Sequence, residues 1–318
     1  MQMNKVDERV LVLGVTSLVG SHFAVTWHRG VLEAAGRREP QNFGLTVSHF
    51  TPINLGDEEG VRRLIRETEC NSVVNYASRT DVDGCERERP EDPCSIGNPP
   101  KESAWIINAE LPGWVAEECA TRGIFMVQIS TDFVFDGTSG PYSEDASPSP
   151  FSKRIGWYGF TKAIGECRVT NVLGSDNSAI VRITHPYGPR FEGKLDFAWK
   201  LLQRQRVGQL YPLYTDQQLT PTWIPDVSET VGRILASRSG GIYHVASPSM
   251  TTPYEFSRAL FKEFGYNPDA IEGCLLSAAN PSGRVPRPLK GGLRVRNILK
   301  LGIQPVDFRS GIRLMTKE

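Results

Sequence analysis

Apolar residues follow two alternating periods through the first half of the chain. Val10-Leu11-Val12-Leu13 is an unbroken apolar run closed by Gly14, the pattern of a strand buried on both faces. Phe23, Ala24, Trp27 and Val31 then recur at helical spacing and predict a helix over residues 21–32. The alternation repeats: helix over 61–68, strand over 72–75, helix over 112–121, strand over 125–130, helix over 158–170, strand over 179–183. Leu45-Thr46-Val47 reads as the second strand of the series. Strands that are apolar throughout, each followed by a helix, predict an α/β fold with a doubly wound parallel sheet.

Two stretches interrupt the pattern. Residues 89–103 are rich in proline and charge and read as a surface insertion, and residues 136–154 form a second long loop. After Pro186 the alternation weakens, with one more strand expected near residues 241–246. The expected division is a nucleotide-binding domain over 1–183 plus about 226–246, and a smaller C-terminal α/β substrate domain over 184–225 and 247–318.

Composition narrows the function classes. Lys+Arg and Asp+Glu both number 36, so no basic excess is present to neutralise nucleic-acid phosphates or an anionic membrane. The apolar run after Asp7-Glu8-Arg9 is too short for a signal peptide or a membrane span, which makes a soluble, cytoplasmic protein the expectation. Cys70, Cys85, Cys94, Cys119, Cys167 and Cys274 form no C-x-x-C pair, and the five histidines form no H-x-x-x-H pair. Reduced thiols and no metal site are expected.

The candidate chemistry lies at strand ends. Gly14-Val-Thr-Ser17-Leu18-Val19-Gly20 joins the first strand to the first helix, where glycine lets backbone approach a pyrophosphate and the helix N-terminus supplies amides. Ser17 stands where the usual three-glycine pattern has its middle glycine. No acid follows the expected second strand to hold the ribose hydroxyls of NAD, whereas Arg37 and Arg38 are either a solvated loop or the partners of a 2′-phosphate. NADP is therefore favoured, with NAD possible.

Tyr158 and Lys162 are four residues apart, on one face of a predicted helix. Strand 125–130 ends at Ser130-Thr131, at the sheet edge where α/β sites form. A lysine cation beside a phenol favours the phenolate, which would suit Tyr158 to proton transfer while Thr131 hydrogen-bonds a carbonyl oxygen. Asn108, before a helix, either caps it or holds a water linking Lys162 to solvent.

These motifs occur in the order found in extended short-chain dehydrogenases/reductases. Ser130-Thr-Asp-Phe-Val-Phe-Asp-Gly137, followed by Gly140-Pro-Tyr-Ser-Glu-Asp145, resembles the dTDP-4-dehydrorhamnose reductase branch. Asp216-Gln-Gln-Leu-Thr-Pro-Thr222, Asp226 and Arg287-Pro288 are similar to later segments of that branch, so the resemblance covers nearly the whole chain. It implies a Rossmann fold and a catalytic set of Thr131, Tyr158 and Lys162. It places Gly14, Gly20, Ala77, Ser78 and Lys162 around the cofactor, and Asp132, Phe133, Arg182, Gln217, Thr222 and Arg287 on the substrate side. Gln217 and Thr222 could equally shape a loop, and Arg287 could be a surface residue. The departures are Ser17, Tyr76, Ser78 and Asn54.

The implied activity is reduction of a 4-keto group on a nucleotide-linked deoxysugar, and a homodimer is the base-rate expectation. Two alternatives stand beside it. One is epimerisation or dehydration of a nucleotide sugar, for which Asp132 alone supplies a carboxylate. The other is a non-catalytic, NADP-binding regulatory subunit of the methionine adenosyltransferase type, suggested by the ending Phe308-Arg-Ser-Gly-Ile-Arg313.

Overall fold

A computed structural model describes residues 8–93, 95–279 and 285–317; Cys94 lies outside them. Strands β1 (Glu8–Leu13), β2 (Gly30–Gly36), β3 (His49–Pro52), β4 (Ser72–Asn75), β5 (Phe125–Thr131), β6 (Ser178–Ile183) and β8 (Gly241–Val245) form one parallel sheet in the order β3-β2-β1-β4-β5-β6-β8. The two-residue strands β7 (Leu213–Tyr214) and β9 (Gly273–Cys274) pair separately.

Pleating explains why residues 10–13 of β1 have to be apolar without a break. Val10 and Val12 enter the core on one face, with helices α1 (Leu18–Thr26) and α7 (Ile224–Ser237). Leu11 and Leu13 enter the core on the other, with α2 (Glu58–Glu67) and α4 (Leu111–Arg122). The long helix α5 (Trp157–Leu173) packs on α4, and the short helix α3 (Val82–Arg87) packs on α5.

The second strand is not where the periodicity placed it. Helix α1 stops at Thr26, and residues 30–36 form β2, because Gly30 can run against the Glu8 carbonyl where a Cβ would come within 2.0 Å. The i, i+4 spacing of Trp27 and Val31 imitated a continuing helix. Leu45 is instead a buried residue of the following loop, packed against the sheet core.

A second core lies beyond the sheet. Helices α6 (Phe197–Arg206), α8 (Pro253–Glu263) and α11 (Phe308–Met315) pack there around Tyr187, Trp223 and Phe256. Short α9 (Leu276–Ala279) follows β9, and α10 (Asn297–Lys300) packs on β8, returning Ile298 and Ile303 to the sheet core. Loop 136–154 is tied to the same return: Tyr142 stacks on Phe135 at 4.2 Å, and Glu144 Oε1 accepts the Arg296 and Asn297 amides, each at 2.9 Å. Among the described residues no helix is long and apolar enough to cross a membrane.

Candidate active site

Strand order reverses direction between β1 and β4, so a crevice opens there at the carboxyl ends of the strands. Gly14 closes β1 with φ +77°, and an added Cβ would stand 2.7 Å from the Ala77 amide nitrogen. Only glycine combines that backbone with that approach. Ser17 caps α1, its Oγ accepting from the Gly20 amide at 3.1 Å. The hydroxyl thus occupies one amide of the first turn and leaves those of Leu18 and Val19 without an intrahelical partner.

Two cavities adjoin at this turn and share Ser17, Ser78 and Lys194 as walls. The first, about 380 Å³, runs from Gly14 past Ala77 to Arg37 and Arg38. Both arginines follow β2 directly, so they occupy the strand end that an acid would need. Arg38 donates to the Thr16 carbonyl at 3.1 Å and lies over the Phe43 ring, which fixes it to the turn. Arg37 is 64% exposed, with Glu102 at 3.6 Å.

The second cavity, about 340 Å³, gathers Leu18, Val19, Thr131, Asp132, Phe133, Tyr158, Lys162 and His185. Tyr158 and Lys162 project from one stripe of α5, whose first amide, on Trp157, donates to Glu86 at 2.6 Å. At Gly159 a Cβ would come within 2.1 Å of the Phe133 carbonyl, so the start of α5 lies directly against the turn after β5. Phe133 meets the Tyr158 ring edge-on at 5.6 Å.

Burial raises the Tyr158 phenol above its ordinary value, and hydrogen bonding with the Thr131 and Ser78 hydroxyls opposes the rise. Lys162 is buried and donates from Nζ to the Ile129 carbonyl at 2.7 Å. Burial pushes it down to about 8, with Glu166 pulling the other way.

This cleft fits a dinucleotide on its own features. The Gly14 approach leaves backbone open to phosphate. Tyr76 Oη and Ser130 Oγ are buried beside the second cavity and have no protein partner, polar groups that a bound ligand would satisfy. Tyr76 belongs to this second cavity, with its ring packed against Phe23 at 5.7 Å.

Asn108 does not cap a helix. It lies in a π-helical turn, Ile106–Glu110, ahead of α4. Its Oδ1 accepts from Ser78 Oγ at 3.0 Å and the Arg79 amide at 2.9 Å. Its Nδ2 donates to the Arg79 carbonyl at 3.0 Å and Thr161 Oγ1 at 3.3 Å. All four sites of the amide are engaged, so it clamps the wall of the cleft against α5 and leaves none for a water.

Of the six substrate-side candidates, only Asp132 and Phe133 line the cavity with Tyr158. Arg182 is 1% exposed and turned into the sheet layer, its Nε donating to Glu166 at 3.0 Å and Nη2 at 2.6 Å. Gln217 is buried and donates to the Pro288 carbonyl at 3.1 Å. Thr222 accepts the Thr184 amide at 2.9 Å and donates to the Val245 carbonyl at 2.6 Å. These three hold loops and strands together. Arg287 binds Asp83 at 2.7 Å and lines a neighbouring cavity with Asp136, Gly137 and Lys153. Insertion 89–103 borders a further cavity with Trp105 and Trp157, which meets the first at Arg79 and Glu102.

Sequence reasoning missed His185. It follows β6 at the same carboxyl edge as Thr131, and it adopts φ +41°, a backbone conformation that non-glycine residues rarely take. Thr184 Oγ1 lies 3.0 Å from His185 Nδ1, and Asp132 lines the same cavity as His185. The strand-end rule that singled out Thr131 was equally available for Thr184-His185.

The RmlD substrate binding domain family matches residues 8–318. The chain belongs to that family. Among its relatives is the probable low-salt glycan biosynthesis reductase Agl14 of Haloferax volcanii, 32% identical over 77% of this chain and 76% of that one. Methionine adenosyltransferase 2 subunit beta of Xenopus tropicalis is 29% identical over 96% of this chain and 86% of that one. Among solved structures, dTDP-4-dehydrorhamnose reductase from Bacillus anthracis in complex with NADP superposes with a TM-score of 0.79 at 20% identity, covering 98% of this chain and all of that one. The last likeness is one of fold, and it agrees with the doubly wound sheet. The chain is thus similar to reductases and to a methionine adenosyltransferase subunit alike, and the side chains of the cleft must decide between them.

Proposed function

We propose that this protein is an NADPH-dependent reductase of a ketone on a nucleotide-linked sugar. The observation that carries the reading is the convergence of Thr131, Tyr158 and Lys162 on one cavity that adjoins the Gly14–Ser17 turn. Bound cofactor would supply the hydride. Tyr158, kept protonated at neutral pH by its burial, delivers the proton to the carbonyl oxygen. Thr131 hydrogen-bonds that oxygen, and Lys162, anchored on the Ile129 carbonyl, places a positive charge beside the phenolate left behind. Arg37 receives the 2′-phosphate of NADPH, while Arg38 braces the turn.

Two measurements test this. The first follows NADPH absorbance with dTDP-4-dehydrorhamnose as the probe ketone; stoichiometric oxidation is expected, and none with this ketone or related nucleotide-linked keto-sugars defeats the reading. The second concerns the cofactor. Arg37→Ala is expected to raise KM for NADPH about tenfold through one lost charge-assisted contact at an exposed position, and to leave KM for NADH unchanged. Equal effects on both cofactors would remove Arg37 from the phosphate site.

The near full-length match to methionine adenosyltransferase 2 subunit beta favours a second reading, a cofactor-binding subunit without turnover. Against it, the segment that prompted it is occupied within its own domain: Phe308, Ile312 and Met315 of α11 are buried in the second core. Co-elution with a methionine adenosyltransferase catalytic subunit, together with no ketone reduction, would establish that alternative.

A further inference from the structure

The cleft holds a second acid–base array that ketone reduction does not use. Thr184 sits between His185 and Asp132: its Oγ1 lies 3.0 Å from His185 Nδ1, and its hydroxyl opposes the rise that burial imposes on the Asp132 carboxyl. With the imidazole proton on Nδ1, the Thr184 oxygen accepts it and Nε2 keeps a lone pair. Asp132 is itself fixed by the Gly292 amide at 3.2 Å and is 2% exposed. The imidazole is held between Phe133, at 6.4 Å, and Phe197, edge-on at 5.8 Å. Phe133 also contacts Tyr158, and base and phenol line one cavity.

A non-glycine residue at φ +41° is strained, and such strain persists where surrounding structure imposes it. Here it coincides with a basic nitrogen backed by a carboxylate. A nearby carboxylate favours the imidazolium that forms when Nε2 takes a proton, and Asp132 acts on His185 in that sense. Burial keeps His185 neutral, hence able to accept, with Asp132 opposing that shift and Arg287 adding to it.

We propose that His185, backed by Thr184 and Asp132, exchanges the hydrogen on the carbon next to the substrate ketone, giving the protein a proton-transfer activity independent of hydride transfer. The proposal rests on the ketone being bound at Thr131 and Tyr158. His185 Nε2 takes the proton from the adjacent carbon. The C–H electron pair becomes the new carbon–carbon π bond, and the carbonyl π pair moves onto oxygen, where Thr131 and Tyr158 hydrogen-bond it. Return of a proton from His185 to carbon restores the ketone. Nothing is oxidised or reduced, and in deuterated water the returned hydrogen is deuterium.

The test incubates the protein saturated with NADP⁺ and dTDP-4-dehydrorhamnose in deuterated water and follows the ring hydrogens flanking the ketone by proton NMR. Reduction of the same ketone with NADPH is measured in parallel. Wild-type protein is expected to exchange a flanking hydrogen at least tenfold faster than His185→Asn, a variant that tolerates the positive φ but lacks the base. Thr184→Val, which cuts the link to Asp132, is expected to slow exchange as well, with folding of both variants checked by circular dichroism. Reduction without exchange in wild type, or equal exchange in His185→Asn, overturns the proposal and leaves the reductase reading standing. Neither reduction nor exchange in wild type overturns both.

Discussion

Tyr158→Phe is expected to lower kcat for NADPH-dependent ketone reduction by about 10²–10⁴-fold, the usual worth of a positioned general acid. The loss should fall on kcat rather than on cofactor affinity. The ring still packs edge-on against Phe133, and Lys162 still donates to the Ile129 carbonyl, so the wall of the cleft keeps its shape. Pre-steady-state NADPH oxidation and a cofactor titration by fluorescence separate the two quantities. A variant within tenfold of wild type would remove the phenol from proton delivery.

Lys162 sets a pH signature for the same step. With its ammonium titrating at about 8, the charge is present below that pH and is lost above it. Wild-type reduction should therefore be level toward neutrality and fall as pH rises through about 8. Stability has the opposite slope. A lysine depressed by burial costs stability at neutral pH, and the cost is recovered as pH climbs from about 8 to the usual lysine range, where the unfolded chain also releases its proton.

Arg182→Ala is expected to destabilise the fold by about 3–5 kcal/mol, the range for leaving one partner of a buried ion pair uncompensated. For a chain of 318 residues, with about 2.1 cal/mol/K of unfolding entropy per residue, this lowers Tm by about 5–8 °C. The mechanism is visible in the partners left behind. Glu166, 4% exposed, would lose its hydrogen-bonded cation and keep only the longer-range influence of Lys162. His244 would lose the donor to its Nε2 at 3.4 Å, and Phe135 the guanidinium 5.0 Å above its ring. His244 is pushed down to about 4, chiefly by burial and then by the Arg182 charge, so it is neutral and donates from Nδ1 to the Arg294 carbonyl at 3.1 Å. Replacing both charges, Arg182→Met with Glu166→Leu, should recover most of the loss, because an apolar pair of similar volume is often as stable. Calorimetry on the three variants checks this; a single variant as stable as wild type would show that the pair contributes nothing.

The sheet was legible because its central strands are buried on both faces and so carry unbroken apolar runs, as in Val10–Leu13 of β1, Val73-Val74 of β4 and Phe125–Val127 of β5. The error at β2 has the same root. Its sequence, Gly-Val-Leu-Glu-Ala-Ala-Gly, mixes small and charged residues, while Trp27 and Val31 mimic a helical repeat across the break. Tyr158 and Lys162 could be read because i, i+4 spacing is local. Arg182 misled because a lone arginine in a strand carries no mark of its partner. Yet that partner was deducible: Glu166 continues the stripe Tyr158, Lys162, Glu166 at four-residue steps, and a carboxylate on the sheet-facing side of a helix requires a cation. The strand-end rule could have marked His185, but its neighbourhood with Asp132 could not be read, since Asp132 is more than fifty positions earlier and the two meet only through the β5–β6 pairing.

That stripe on α5 couples durability to chemistry. Its outer end presents a phenol and an amine to the crevice, and its inner end is bolted to the sheet through a guanidinium. Reshaping the inner end for heat tolerance would be felt as a small rotation at the outer one, where fractions of an ångström govern reactivity. Efforts to harden the molecule belong on the opposite side of the helix.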